Sequence, residues 1–339
     1  MSVRVSRRWL AAGLWAVLAS ACGGGGGGPA PAAAPVSKKL SIAVIPKGTT
    51  HEFWKSIHAG ALKAAGELSR DGRTVEIIWK GPLREDDREQ QVQVVESFTS
   101  QGVDGIILAP LDANALVRPV EEARRLKIPT VIFDSGLASP EIVSYVATDN
   151  FKGGELAAER LGSLLGGRGK ALLLRYQEGS ASTEEREKGF ETKLKSAHPG
   201  VQLVSSDQYS GPTRDTAKRA SENLLNRFGS QVQGIFTPNE SSSMGMLLAL
   251  QDEGRAGKLP FVGFDASPAF VEAMRKGQMH GIVLQNPYNM GYLAVKTMVE
   301  HLEGKQVPKV VDTGVELITP DNLDAPRSQE LLNPPQAGS

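Results

Sequence analysis

Ser144-Tyr-Val-Ala-Thr-Asp-Asn-Phe-Lys-Gly-Gly154 is the stretch on which the reading of this 339-residue chain turns. It begins as a strand, with Val143 and Val146 on either side of Tyr145, and it turns at Thr148-Asp149-Asn150. Leu156, Ala157, Leu161, Leu164 and Leu165 then recur at helical spacing. Asp149 or Asn150 suits the N-cap, because a short side-chain oxygen accepts from the free N–H groups of a first helical turn. Alone, this describes any strand-to-helix turn. Its weight comes from its place between two halves that read alike. The stretch is therefore expected to be the first crossover between two lobes, with Thr148 facing a cleft.

Before it, strands are expected at residues 40–45, 75–79, 105–109 and 130–133. Helices are expected between them, over 53–68, 86–98 and 113–126, from apolar residues three and four apart. After it, strands at 171–174, 201–205, 234–237 and 261–264 alternate with helices at 183–197, 213–228 and 242–253. Local matches tie the halves together: Ala109-Pro-Leu-Asp112 with Thr237-Pro-Asn-Glu240, and Val131-Ile-Phe-Asp134 with Val262-Gly-Phe-Asp265. A strand at 281–285, a helix over 288–302, and short crossings at 310–311 and 315–318 complete the pattern. Near-continuous apolar strands separated by amphipathic helices imply parallel sheets covered on both faces. The fold class expected is α/β, with two similar doubly wound parallel-sheet lobes joined by a multi-strand hinge. The N-terminal lobe is assigned 39–148 plus 286–312, the C-terminal lobe 149–285 plus 313–320, and a loose tail 321–339.

Lysine plus arginine and aspartate plus glutamate both number 38, so no basic surplus points to nucleic acid. The amino terminus reads as address, not fold. Arg4, Arg7 and Arg8 precede a short apolar run that ends in Leu18-Ala-Ser-Ala-Cys22, so residues 1–21 read as an export signal. Cys22 is the only cysteine and follows small residues, as in a bacterial lipoprotein signal; plain cleavage beside an incidental cysteine is the alternative. Residues 22–38, with six glycines and then Pro29-Ala-Pro-Ala-Ala-Ala-Pro35, read as a tether from the lipidated cysteine. Removing residues 1–21 leaves 35 basic against 38 acidic side chains.

In open parallel sheets, ligands bind beyond the carboxyl ends of the strands. The loops there carry His51, Phe53, Trp54, Asp134, Ser135 and the crossover Thr148 from the first half. The second half offers Gln177, Arg186, Asn239, Phe264, Asp265 and Gln285. Aromatic faces stack on the C–H face of a polyol, while carboxylate, amide and guanidinium groups take its hydroxyls. Each residue also has a plainer role. Phe53 and Trp54 suit the buried turn of a helix, Asp134 and Asp265 suit caps, Arg186 suits a solvated face and Gln285 suits a turn. Their joint placement at strand ends argues for a site.

The order of these residues resembles the periplasmic sugar-binding proteins of the ribose-receptor type, which share their fold with the core of lac-type repressors. The marks are Phe53-Trp54 opening the first helix, Asp134 ending the fourth strand, and Ala147-Thr-Asp-Asn-Phe-Lys-Gly-Gly154 at the crossover. Arg186-Glu-Lys-Gly-Phe190, Val262-Gly-Phe-Asp265 and the late Gln285 follow. The resemblance spans residues 40–318 and implies a type I periplasmic binding protein clamshell. It also implies ligand contacts from Phe53, Trp54, Asp134, Thr148, Arg186, Asn239, Phe264, Asp265 and Gln285; His51 and Gln177 stand at contact positions with a different residue type. Ser135 stands where a ribose-type receptor has arginine, Ala109 where it has asparagine, and Trp54 where it has phenylalanine. These departures point away from ribose and leave another sugar, a polyol or a related small polar molecule open.

The function expected is an exported, lipid-anchored receptor that hands a small neutral sugar or polyol to the membrane permease of an ABC importer, in the periplasm or on the outer face of the cytoplasmic membrane. A membrane sensor as partner is the alternative. No catalytic residue, cofactor or metal is expected, and the chain is expected to be a monomer that meets membrane through its anchor only. An enzyme working in the same cleft is the rival class, but His51, His58, His198, His280 and His301 show no metal-ligand spacing, and no nucleophile elbow or phosphate loop is present. A repressor would need a basic helix-turn-helix where the signal and tether stand.

Overall fold

The computed structural model describes residues 38–70 and 72–335. The export signal, Cys22 and the glycine tether lie outside the described residues. The described residues form one compact unit. In chain order, β1 (Lys38–Ile45), α1 (Glu52–Leu68), β2 (Arg73–Trp79), α2 (Arg88–Gln101), β3 (Gly105–Leu108), α3 (Val117–Arg125), β4 (Thr130–Phe133) and β5 (Ser144–Ala147) come first. Next are α4 (Asn150–Leu164), β6 (Arg168–Arg175), α5 (Ala181–Ala197), β7 (Gly200–Tyr209), α6 (Arg214–Phe228), β8 (Gly234–Phe236), α7 (Glu240–Asp252), β9 (Phe261–Phe264), α8 (Pro268–Arg275) and β10 (Gly281–Gln285). The chain ends with α9 (Pro287–Leu302), β11 (Val310–Asp312), β12 (Val315–Ile318) and α10 (Pro326–Leu332).

The strands form two sheets, in the orders β11-β5-β4-β3-β1-β2 and β12-β10-β9-β8-β6-β7. The first is parallel throughout; in the second only β12 runs against its neighbour. Period-two alternation sorts side chains between faces. On β1, Leu40, Ile42 and Val44 pack toward α1 and α9, while Ala43 and Ile45 pack toward α2 and α3. The second sheet likewise has α4 and α5 on one face and α6, α7, α8 and α10 on the other. In each sheet the order reverses at the first strand of the lobe, β1 or β6, which puts a switch-point crevice at their carboxyl ends.

The chain passes between the lobes three times. Asp149 caps α4 by accepting from the Lys152 N–H, and Asn286 caps α9 by accepting from Asn289. The third passage links β11 to β12, where the Thr313 N–H donates to the Ala147 carbonyl at 3.0 Å. The first and third passages thus run side by side.

Two glycines of the crossover and arginine motifs set how closely α4 and α5 pack. A Cβ on Gly154 would stand 1.9 Å from the Arg186 carbonyl oxygen, and one on Gly189 would stand 2.1 Å from that of Phe151. The backbones touch directly, and this places Arg186 at the carboxyl end of the second sheet. Gly60 and Gly291 do the same for α1 and α9.

Three expectations are corrected. Over its described residues, 321–335, the tail is not loose: α10 buries Leu331 in the core of the C-terminal lobe, because its apolar side chains meet the face formed by Leu284, Ile318 and Leu323. Helix α3 starts at Val117, not Ala113, because the Asp112 carboxylate accepts from Asn114 and Ala115 and folds 112–115 into a turn. Helix α2 starts at Arg88, capped by Asp87.

Candidate ligand site between the lobes

The loop after β1 brings Lys47 and His51 to the crevice, the first turn of α1 brings Phe53 and Trp54, and Asp134 arrives from the end of β4. Asp134 and Asp265 occupy matching places, each one residue past its strand with φ of 60° and 70°. Neither is the N-cap residue of a helix, although the Asp265 carboxylate accepts from the first N–H of α7. Each N–H donates to the strand beyond, Asp134 to Val146 O at 3.1 Å and Asp265 to Val283 O at 2.8 Å. A left-handed backbone is unfavourable for most side chains but tolerable for aspartate. The conformation turns the chain sharply at the strand end, at the crevice.

On the N-terminal side, the Lys47 ammonium lies 3.2 Å from the Asp134 carboxylate, and both side chains are 5% exposed. Glu85, from the loop after β2, collects three donors: Trp54 Nε1 at 2.7 Å, His51 Nδ1 at 3.2 Å, and Tyr176 OH of the other lobe at 2.8 Å. Burial pushes the Glu85 carboxyl up, but the His51 and Trp54 hydrogen bonds and the His51 and Lys47 charges outweigh it and hold it at about 2. The hydrogen bond to Glu85 raises His51 against the opposing effect of burial. Trp54 stands edge-on to Phe53 and to Phe133, at 5.0 and 6.2 Å between ring centroids.

On the C-terminal side, Arg186 is buried, with Nε donating to Asn150 Oδ1 at 2.8 Å and Nη1 to Pro238 O at 3.0 Å. Its guanidinium carbon sits 4.0 Å over the Phe264 ring. Asp265 accepts from the Glu240 N–H at 3.0 Å and from Gln285 Nε2 at 2.7 Å. Burial raises the Asp265 carboxyl; Arg186 and Gln285 offset part of this, and the charge of Asp134 across the crevice adds to it. Gln285 Oε1 is buried with no partner among the described residues. Asn239 lines the wall while capping α7.

These walls enclose a cavity of about 40 Å³, far below the about 300–1,000 Å³ of ordinary small-molecule pockets. Direct bonds hold the lobes this close. Lys47 Nζ reaches Ser180 Oγ at 3.3 Å and Ser182 Oγ at 3.1 Å, and Ser182 N donates to Ser135 Oγ at 3.1 Å. Arg88 Nη2 donates to Glu178 O at 2.8 Å, and Ala113 N donates to Gly179 O at 3.0 Å. With Tyr176 on Glu85, these partners all belong to one segment, residues 176–182, the loop after β6 and the start of α5. That segment closes one side of the crevice.

Of the residues read from sequence, the structure brings His51, Phe53, Trp54, Asp134, Arg186, Asn239, Asp265 and Gln285 to this cavity. Four stand elsewhere. Ser135 is buried and ties the lobes together. Thr148 Oγ1 faces Gly314 O, at 3.5 Å, on the neighbouring passage. Phe264 lies beneath Arg186 as its platform. Gln177 turns to an outer surface near Arg84 and Asp87, while its neighbour Tyr176, just past the end of β6, is the residue that faces the crevice. Sequence reading missed Lys47, Glu85, Tyr176, Ser182, Thr183 and Glu240, which complete the wall. Lys47 directly follows Ile45-Pro46 and was open to the strand-end argument; Glu85 follows an edge strand whose loop carries no motif. Among the described residues, no cluster of histidine, cysteine, aspartate and glutamate has metal-binding geometry, and no helix is long and apolar enough to cross a membrane.

The periplasmic binding protein domain matches residues 42–306. The chain is 30% identical to the D-allose-binding periplasmic protein of Escherichia coli, over 78% of this chain and 86% of that one. It is 28% identical to the xylitol-binding protein of Mycolicibacterium smegmatis, over 74% and 70%. Among solved structures, an ABC transporter solute-binding protein from Agrobacterium vitis with bound D-fucose superposes with a TM-score of 0.82 at 34% identity, covering 86% of this chain and all of that one. The two-lobed α/β architecture is that of these type I periplasmic binding proteins.

Proposed function

The chain belongs to the periplasmic binding protein family, and from that premise we propose that it is a solute receptor that takes a neutral sugar or polyol between its lobes and presents it to the permease of an ABC importer. The observation that carries the reading is the crevice itself. Asp134 and Lys47 on one lobe face Asp265, Arg186 and Gln285 on the other, with Trp54 and Phe53 beside them. Opposite charges are interleaved, so the wall suits a ligand with many hydroxyls and no net charge. Charge-assisted bonds to those hydroxyls would bridge the lobes.

The cavity volume implies the motion. A pyranose with its hydroxyls needs more room than about 40 Å³, so entry requires the bonds of the 176–182 segment to open. The ligand then biases the lobes toward a closed form through its contacts with both. A permease that reads the closed form completes the delivery. Lipidation at Cys22 and the glycine tether would keep the receptor at the membrane surface, with the periplasmic side as its location. The reading is of a receptor: Glu85 and Asp265 are each held in place by protein donors, with acceptor capacity left for ligand hydroxyls, and Asp134 is ion-paired to Lys47.

The test is thermal unfolding of the chain from Ser37 onward against pentoses, hexoses and polyols. A ligand at about 100 times its dissociation constant adds about 2.7 kcal/mol, a shift of several degrees for a body of this size. A shift with one compound establishes the receptor reading and its substrate class. No shift with any of them, in folded protein freed of carried-over ligand, would remove the sugar reading.

A further inference from the structure

The 176–182 segment closes one side of the crevice. The crevice adjoins a second cavity of about 250 Å³. Phe53, Asp265 and Gln285 belong to both walls, so the two spaces meet at these side chains. Their chemistry differs sharply. Where the crevice is lined by charge, the second cavity is walled mainly by Phe53, Pro268, Pro287, Leu331, Leu332 and Pro334. Four of its residues, Leu331 to Pro334, come from the C-terminal segment. That segment is fixed by α10, whose Leu331 is buried in the lobe core.

We propose that this cavity is an apolar compartment of the ligand site, and that the ligand accepted is a sugar carrying an apolar substituent, such as an aryl or short alkyl glycoside. The proposal rests on the sugar reading above and deepens it. A glycone bonded at Asp265 sits where the two spaces meet, and a group on its outward oxygen leads into the compartment. Gln285 supports the placement. Its amide nitrogen is committed to Asp265, while its buried Oε1 has no partner among the described residues, so a ligand hydroxyl at this boundary satisfies it. The substituent gains from leaving water, and its size is limited by the walls. The C-terminal helix is thus a wall of the site.

Isothermal titration of the chain from Ser37 onward tests this, with free D-glucose, D-galactose, D-fucose, D-allose and D-arabinose beside their methyl and phenyl glycosides in both anomers. The expected result is that, for a sugar that binds, one phenyl anomer binds at least about tenfold tighter than the free sugar, about 1.4 kcal/mol. Leu332→Trp, which fills the compartment, should erase that advantage. Binding of a free sugar with every phenyl glycoside equal or weaker overturns the proposal and leaves the sugar reading standing. A phenyl advantage that survives in Leu332→Trp places the substituent elsewhere and also overturns it. If neither sugars nor glycosides bind, the sugar reading falls and takes this inference with it. The comparison in the unsubstituted chain decides by itself should the variant not fold.

Discussion

The Tyr176 hydroxyl of the C-terminal lobe donates to Glu85 Oε2 of the N-terminal lobe at 2.8 Å, while Trp54 holds the other oxygen of the same carboxylate at 2.7 Å. Glu85 is therefore a latch point, set by one lobe and read by the other. Tyr176 is placed by its own support: its N–H donates to Glu187 Oε1 at 3.0 Å, and Glu187 is ion-paired to Arg175 at 2.6 Å. Tyr176→Phe removes the cross-lobe bond and leaves the ring. Unfolding should move little, and affinity for the identified sugar should fall by about tenfold to a hundredfold or more, as for one hydrogen bond to a charged group at about 1.5–3 kcal/mol. Titration calorimetry checks this; an unchanged affinity would show that the bond is absent from the ligand-bound form.

The same carboxylate predicts a pH profile. Glu85 is held at about 2, below its usual 4.5, so its contribution is full above about 4.5 and is lost as pH falls toward 2. The side chain is only 11% exposed, and the shift corresponds to an upper bound of about 3 kcal/mol. His51 is raised above 6.5, so its share is present below that value and is lost as pH rises through its higher folded pKa. Stability should therefore peak between these limits. In Glu85→Gln the acid-side loss should shrink, and thermal midpoints across pH 3 to 9 would show it.

Asp265→Asn keeps the shape and suits the left-handed backbone, but it cannot accept from both Glu240 and Gln285 as the carboxylate does. Ligand affinity should drop by about tenfold to a hundredfold, the range for losing a charge-assisted bond. The midpoint should stay close to that of the parent, because burial already works against the ionised form. Binding at parental strength would take Asp265 out of the site.

Gly189→Ala should cost stability and binding together. The new methyl would meet the Phe151 carbonyl at 2.1 Å, so α5 must move off α4, taking Arg186 with it. Overpacking of this kind costs about 1–3 kcal/mol. Ser196→Ala, on the exposed end of the same helix, is the control.

Leu331→Ala should destabilise the chain by about 2–5 kcal/mol, the range for emptying a buried leucine site. A freely hanging tail would give no change. Denaturant unfolding separates the two.

Much of the architecture was legible because it is local. Alternation and helical spacing marked most strands and helices, and the duplicated strand-end aspartates located the matched turns. The glycines of Phe151-Lys-Gly-Gly154 and Arg186-Glu-Lys-Gly-Phe190 looked like motif residues; the structure shows that they are there so that two backbones can touch. Helix starts were misplaced where side chains such as Asp112 build their own turns.

Sequence by itself determined the two-lobed parallel-sheet fold and eight of the side chains that meet at the crevice, because strand-end position and residue chemistry are properties of short segments. Only the tertiary structure decided which strand-end residues turn inward. Just past the end of β6, Tyr176 faces the crevice and Gln177 an outer surface. It alone joined Lys47 to Ser180 and Ser182, more than 130 positions away, and Glu85 to Tyr176. It also brought Leu331 and Leu332 of the C-terminal helix to the cavity that shares Phe53, Asp265 and Gln285 with the crevice. Those partnerships are set by how two sheets face each other, and no local pattern encodes that distance.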